Sequence, residues 1–468
     1  MSVFAKRRSR QAHTKDMTVG NPYSQMISFA MPILLSQLFQ QLYNTADALI
    51  VGNFLGTDAL AAVSSSGTLI FLFISFFTGT AMGAGVVISR YFGANDPDRV
   101  SRAIHTNIAF GIVSGVILTI IGVFFTPTIL VWMKTDPDVI DEAQQYFRVF
   151  FAGILALIMY NVFRGILNAL GDSKLPLYYL IFSSVLNVLL DLLFVGAFGW
   201  GVWSAALATV ISQVVSCVLC LIHLMKKGQI FTVELRKIRF HWDMLCEIIR
   251  FGLPSGVQNS VIAFANVIVQ SQINSFGKFA TAAYGTHAKI EGFGFLPITS
   301  FNMATTTFIS QNLGAKQYDR AKKGARFGIL TAVVCAEVIG IITFILAPQL
   351  IAIFDSSPEV IRLGVQQART VTLFYFLLAL SHAIAAVCRG AGKAFVPMFV
   401  MLSVWCVIRI IYIAIIMHFV GELQFIYWAY PITWGISSVI YIIYYKCSDW
   451  IHGFDGKKAT SYVGSKNK

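Results

Sequence analysis

Twelve long apolar segments follow one another along this chain of 468 residues, and no other feature limits the fold as strongly. They lie at 24–54, 57–89, 104–133, 138–170, 176–198 and 202–225, then at 243–276, 278–311, 326–354, 358–391, 395–420 and 423–446. A helix crosses the hydrocarbon of a bilayer with about 20 mostly apolar residues. Every segment is that long, and the longer ones must tilt, bend or protrude. Hydrophobic residues make up 56% of the chain and charged ones only 12%, about half the charge of a soluble domain. A soluble enzyme and a disordered protein are excluded. The expected fold is an all-α integral membrane protein of about twelve transmembrane helices.

The net charge of +13 could suggest a nucleic-acid partner, but the charges are placed otherwise. They cluster at Lys6, Arg7, Arg8 and Arg10, at Arg90, Arg99 and Arg102, and at Lys226, Lys227, Arg236, Lys237 and Arg239. Further clusters are Lys316, Arg320, Lys322, Lys323 and Arg326, then Arg389 and Lys393, then Lys457, Lys458, Lys466 and Lys468. About two apolar segments separate each cluster from the next, and the alternate connections are poor in base. Lys and Arg favour cytoplasmic loops, so this pattern predicts a multi-pass protein of the cell membrane with both termini cytoplasmic and no nucleic-acid partner.

The seven cysteines show no paired spacing, and Cys217, Cys220, Cys335 and Cys406 lie within apolar runs. The N-terminus is basic, but its first apolar run continues as a full span, so no removable signal peptide is expected. No HExxH, Walker loop or metal-spaced Cys and His cluster interrupts the pattern, so neither enzyme activity nor a cofactor is expected. His287 and His382 sit in apolar runs and are expected as hydrogen-bonded lining residues.

A shift of about 221 residues superposes the two halves. It carries Gly56 to Gly277, Ser89 to Ser310, Gly93-Ala94 to Gly314-Ala315, Asp98-Arg99 to Asp319-Arg320, Pro127 to Pro348 and Arg148 to Arg369. With one slip, Pro32 matches Pro254. Each half has an even number of spans, so the repeat is parallel, which suits a carrier with a central site between two bundles. The predicted organisation is a cytoplasmic tail at 1–23, a six-helix lobe at 24–225, a basic linker at 226–241, a second six-helix lobe at 242–446 and a cytoplasmic tail at 447–468.

Polarity inside the spans marks the candidate site. Span 1 carries Gln37, Gln40, Gln41, Asn44 and Asp47, with 37, 40, 44 and 47 at helical spacing. Such a stripe must face protein or water, because lipid cannot satisfy it. An ionised Asp47 at that depth is costly without a compensating cation or donor. Span 5 places Asn187 and Asp191 four residues apart on one face. Two buried carboxylates with amide and hydroxyl oxygens nearby suit a proton or a hard cation such as sodium, though spacing alone leaves open whether Asp47 and Asp191 meet. The second half has the polar residues Gln258, Asn259, Asn266 and Gln270 in span 7 but no acid there. Its ionisable residues are Lys289, Glu291, Glu337 and Arg409, so any coupling chemistry is expected in the first lobe. Pro32 and Pro254 should kink their helices.

With these residues the chain resembles the multidrug and toxic compound extrusion (MATE) transporters over about Pro22 to Lys446. The stretches that carry the likeness are Pro32-Ile33, Asn44-Thr45-Ala46-Asp47-Ala48, Ile88-Ser89 with Gly93-Ala94, Arg164-Gly165 with Leu170-Gly171-Asp172, and Ile309 to Ala315. The resemblance implies a twelve-helix antiporter that exports organic compounds against proton or sodium entry. Where the coupling site lies in the N-terminal lobe, it implies roles for Asp47, Asn187, Asp191 and Thr209, with Pro32 as the bending proline. Protons are expected ahead of sodium, because the second-lobe carboxylates linked with sodium in related transporters are missing. Gln37, Gln40, Asn44, Gln258, Asn259 and Asn266 are expected to line a polar cavity, and Tyr284, Glu291, Phe293 and Met303 are substrate candidates. Aromatic and Met surface suits amphipathic cations. The expected partners are small organic substrates and membrane lipid, with the protein a monomer. A lipid-precursor flippase and a major-facilitator carrier stay open as alternatives. The flippase would need a strongly cationic cavity, and first-lobe spans show almost no Arg or Lys at mid-depth.

Overall fold

The computed structural model describes residues 16–132, 139–226 and 231–454, with side chains left out at 57–58, 60–74, 129 and 132. Lys6 to Arg10, the connection at 133–138, Lys227 and the C-terminal lysines lie outside the described residues. The first half holds α1 (Pro22–Leu55), α2 (Thr57–Gly93), α3 (Pro97–Trp132), α4 (Ile140–Ala152), α5 (Ile154–Ala169), α6 (Lys174–Asp191) and α7 (Trp203–Met225). The second holds α8 (Trp242–Asn274), α9 (Lys278–Gly294), α10 (Leu296–Gly314), α11 (Tyr318–Ala352), α12 (Pro358–Val371), α13 (Tyr375–Gly390), α14 (Phe395–Met401), α15 (Arg409–Phe419) and α16 (Leu423–Cys447). No strand occurs among the described residues.

Several spans are broken. α4 and α5 form one span bent by 47° at Gly153, and a short 3-10 turn at Thr372–Phe374 divides α12 from α13 at the matching place in the second half. α9 and α10 meet at Phe295, and a π turn at Leu402–Ile408 joins α14 to α15. Joined in this way, the helices make two six-span lobes.

Among the described residues seven helices are long and apolar enough to cross a membrane, or eight with the bent α4–α5 pair. α1 and α8 fall outside that set because polar side chains dilute them, and they run through the middle of the molecule. The outward faces are apolar instead, as at Phe124, Leu330 and Phe419. This inside-out distribution is what a lipid environment requires.

The repeat is realised bond by bond. Ser89 Oγ donates to Ala169 O at 3.0 Å, and Ser310 Oγ donates to Gly390 O at 2.9 Å. Asn95 and Lys316 both take a positive φ, 55° and 56°, in the turns after α2 and α10. Asn tolerates that conformation and Lys rarely does, so the turn geometry outranks local preference at Lys316.

The lobes press together at the end that carries these two turns. A Cβ on Gly83 would stand 2.1 Å from Gly252 Cα, and one on Gly79 2.5 Å from Gly256 N. Small residues let α2 and α8 approach backbone to backbone, which is the usual route to tight packing in membranes. Nearby the contact becomes reciprocal: Gly93 abuts Gln311 O and Gly314 abuts Arg90 O. Glu247 accepts from the Tyr91 hydroxyl at 2.8 Å and pairs with Arg90 at 3.7 Å, and Arg102 pairs with Asp243 at 2.6 Å. The segments just before α1 and just after α16 strap the same region. Fully buried Met17 donates its N–H to Gln311 Oε1 at 3.2 Å and accepts from Asn312 and Arg320 through its carbonyl. Past α16, Phe454 offers its carbonyl to Arg90 Nη2 at 3.0 Å. At the other end Asn44 and Thr45 of α1 and Asn266 and Gln270 of α8 are exposed.

Candidate functional site

Asp47 of α1 and Asp191, the last residue of α6, answer the question that spacing left open. Their carboxyl groups face each other within hydrogen-bonding reach. Asp191 is fully buried, and α6 continues past it as a π turn over Leu192–Ala197. Such turns recur at functional sites because they re-aim side chains within a helix. One turn earlier, buried Asn187 donates from Nδ2 to Thr209 Oγ1 of α7 at 3.4 Å. The four residues singled out for coupling thus converge from three helices.

Sequence reasoning missed the rest of this site. A narrow polar crevice is lined by Tyr43, Ser183, Ser184, Asn187, Thr209, Ser212 and Gln213. Ser183 and Ser184 precede Asn187 by one turn, and Ser212 and Gln213 follow Thr209 by one turn. The i, i+3 and i, i+4 rule applied to the four residues would have found them. Tyr43 adjoins Gln40, Gln213 and Asp47, and Tyr146 of α4 lies within electrostatic range of both carboxyls.

Seven buried oxygens here meet no donor: Asp47 Oδ1, both Asp191 oxygens, Asn187 Oδ1, Ser184 Oγ, Ser212 Oγ and Gln213 Oε1. Buried polar atoms are nearly always paired, so such a concentration marks a place built to receive something positive. Among the described residues no group of three His, Cys, Asp or Glu side chains gathers. The donors are two carboxyls with amide and hydroxyl oxygens, a set that accommodates a proton or a hard monovalent cation and not a soft metal.

The other predicted lining residues scatter. Gln37 faces the second lobe, where Oε1 accepts from Thr299 Oγ1 at 2.6 Å, while Gln40 turns to Tyr43. Asn44 and Asn266 are exposed. Gln258 is buried and accepts from Arg389 at 3.5 Å, and Asn259 donates to Ser75 O across the lobes at 3.3 Å. α1 runs unbroken through buried Pro32, whose carbonyl accepts from Ser36 Oγ at 2.8 Å, so the expected kink does not interrupt the helix.

In the second lobe, Tyr284 shares a hydrogen bond with Tyr430 at 3.0 Å, beside buried Arg409. Arg409 donates to Thr433 Oγ1 at 2.8 Å, lies over the Tyr430 ring at 4.6 Å, and has Glu291 within electrostatic range. His287 corrects an expectation. It is buried, but neither ring nitrogen has a partner. His382 packs edge-on between Phe295 and Trp405, each at 5.2 Å. Phe293 is half-buried.

Met303 reaches the lobe interface. There a cavity of about 600 Å³ is bounded by Met82 and Ser89 of α2, Asn161, Arg164 and Asn168 of α5, and Met303, Thr307 and Ser310 of α10. It shares Thr78, Ala81 and Asn161 with a second, mostly apolar hollow of about 470 Å³ inside the first lobe. Among the described residues that line the interface cavity, Arg164 is the one charged residue.

A family model described as MatE matches residues 32–193 and again 254–415, two equal stretches in the register of the internal repeat. "Probable multidrug resistance protein YoeA" of Bacillus subtilis is 29% identical over 430 residues, covering 90% of this chain and 93% of that one. "Probable multidrug resistance protein YpnP" of the same organism is 27% identical, covering 93% and 97%. Among solved structures, a MOP superfamily transporter from Pyrococcus furiosus superposes with a TM-score of 0.88. It is 23% identical, with 93% of this chain and 98% of that one covered.

Proposed function

The chain belongs to the MatE family of membrane transporters, and from that premise we propose that it is a secondary antiporter exporting amphipathic organic compounds, cations among them. Export is driven by entry of protons or sodium, and the two lobes alternate access to a central cavity. The observation that carries this reading is the first-lobe cluster of unpartnered oxygens around Asp47 and Asp191. Two carboxylates at close range repel unless a proton or cation lies between them. Loading that site removes the repulsion and changes how α1 packs on α6. A ligand-driven shift of this kind requires different affinity in the two states.

Protons are favoured over sodium, for the reason given with the family resemblance. The basic connections face the cytoplasm, so the closed end is the inner one and this state opens outward. The protein acts as a monomer in the cell membrane, with both termini inside. A cysteine at Gln317 should then resist an impermeant maleimide in intact cells, and one at Thr135 should react; the reverse pattern overturns the orientation.

The decisive test is efflux of a fluorescent organic cation from proteoliposomes under separately imposed proton and sodium gradients. Transport driven by the proton gradient alone, with proton release on substrate binding in sodium-free buffer, supports proton coupling. Strict sodium dependence assigns the same residues to sodium. Downhill flux indifferent to both gradients rejects antiport.

A further inference from the structure

Arg164 is the one element of the central cavity that the coupling reading leaves without a task. From α5 it lines the space between the lobes, which Met303 and Thr307 of α10 also bound. None of the ion pairs among the described residues includes it. Its close neighbours are the phenols of Tyr43 and Tyr160, hydrogen-bonding groups but not counter-ions. The contrast with Arg409 is instructive: that guanidinium is fully buried, bonded to Thr433 and covered by two aromatic rings. Arg409 is used up by the protein, whereas Arg164 lines the cavity half-buried, with the Tyr160 hydroxyl as a hydrogen-bonding neighbour and no acid paired to it.

We propose that Arg164 recognises the anionic group, a carboxylate or phosphoryl, of an amphipathic substrate whose apolar body enters the adjoining first-lobe hollow. The proposal rests on the export reading and sharpens it: the preferred cargo carries an acid group beside its apolar and cationic parts. The chemistry follows from the two cavities. A guanidinium binds a carboxylate through two parallel hydrogen bonds, which a lysine cannot reproduce. The hollow next to it, reached past Thr78 and Asn161 and walled by Phe77, Phe110 and Leu157, is apolar but narrow, so an alkyl group or ring enters it by parting these side chains. Tyr43 lies within electrostatic range of both Arg164 and the Asp47 carboxyl, so a substrate anion at Arg164 shares a neighbour with the coupling pair.

The test uses purified full-length protein in detergent and two probes, a xanthene dye with a free carboxylate and the methyl ester of the same dye. Binding is read by fluorescence anisotropy. The wild type should hold the acid more tightly than the ester, and Arg164→Gln should reduce that preference by about 10-fold or more, the worth of a charge-assisted hydrogen bond. Arg164→Lys should fall between. A wild type that favours the ester or binds neither dye overturns the proposal, as does an Arg164→Gln protein that weakens both dyes equally or neither. Efflux of the two dyes from proteoliposomes is measured in parallel. Acid-selective binding without gradient-driven efflux would reject the export reading and leave the assignment of Arg164 standing.

Discussion

The two lobes share a backbone plan and differ in how they bury charge. In the first, Asp47 and Asp191 face each other with no base between them and with unpartnered oxygens around them. In the second, the equivalent positions are Ile268 and Tyr412, and the buried charges include Arg389 beside Gln258 and the opposite-charged Arg409 and Glu291, set among Tyr284, Tyr430 and Thr433. A like-charged pair is stabilised when something positive arrives, and the proposed coupling uses that property. An opposite-charged pair is neutral already and responds to little. On the proposed reading, a duplicated scaffold keeps one lobe as the ion-responsive half, while the other lobe carries no acid pair of its own.

The largest effect expected from this contrast is functional. Asp47→Asn or Asp191→Asn should abolish gradient-driven efflux, a loss beyond about 100-fold, while Glu291→Gln should leave efflux dependent on the gradient. Paired measurements in proteoliposomes decide it, and loss of gradient dependence in Glu291→Gln alone would invert the roles of the lobes.

Stability should move in opposite directions. Arg409→Met leaves Glu291 buried without its cation and Thr433 without its donor, and should cost about 2–3 kcal/mol, somewhat below a directly contacting buried pair. Asp47→Asn relieves repulsion and should leave the thermal unfolding temperature unchanged or raise it. A destabilised Asp47→Asn protein would mean that the carboxyl pair is held by structure and not by an ion.

Where the lobes are alike, the variants should be alike. Gly93→Ala and Gly314→Ala each put a Cβ about 2 Å from a backbone oxygen of the other lobe. Both should disfavour the closed end by about 1–3 kcal/mol, read as faster labelling of cysteines placed at that interface. A clear asymmetry between the two would show that the closed end does not act as a two-fold joint.

The smallest effects belong to exposed contacts at that joint. Asp243→Asn removes the pair with Arg102, both partners about half exposed, and should cost less than about 1 kcal/mol and fade in high salt. His241 beside it accepts from Arg239 through Nε2 and meets Thr106 through Nδ1, so its neutral form fits. Partial burial and the neighbouring Arg102 and Arg239 lower its basicity below the ordinary histidine value. Its contribution is therefore present above the unfolded value, about 6.5, and lost as pH falls through the lower folded one. Faster labelling at this joint only on the alkaline side would reverse the sign.

Much of the molecule was legible as sequence because hydrophobic length and period are local properties. The succession of apolar spans, the parallel repeat through the Gly-Ala turns and the confinement of the acid pair to the first half all follow from composition and spacing. Asn187 and Asp191 share a face because any α-helix puts them there. What only the tertiary structure decided are relations between helices, which depend on tilt and rotation that no single helix encodes. Asp47 and Asp191 lie 144 positions apart, and they meet because α1 packs along α6 in one rotational setting. The polar stripe of α1 divides between two lobes, Gln37 toward Thr299 and Gln40 toward Tyr43, because that helix runs between them. Arg164, part of a motif in the sequence, becomes a lone cation in a cavity because the packing of α2, α5 and α10 brings no acid to meet it. Periodicity tells which residues share a helix face; only the close approach of the helices settles what that face meets.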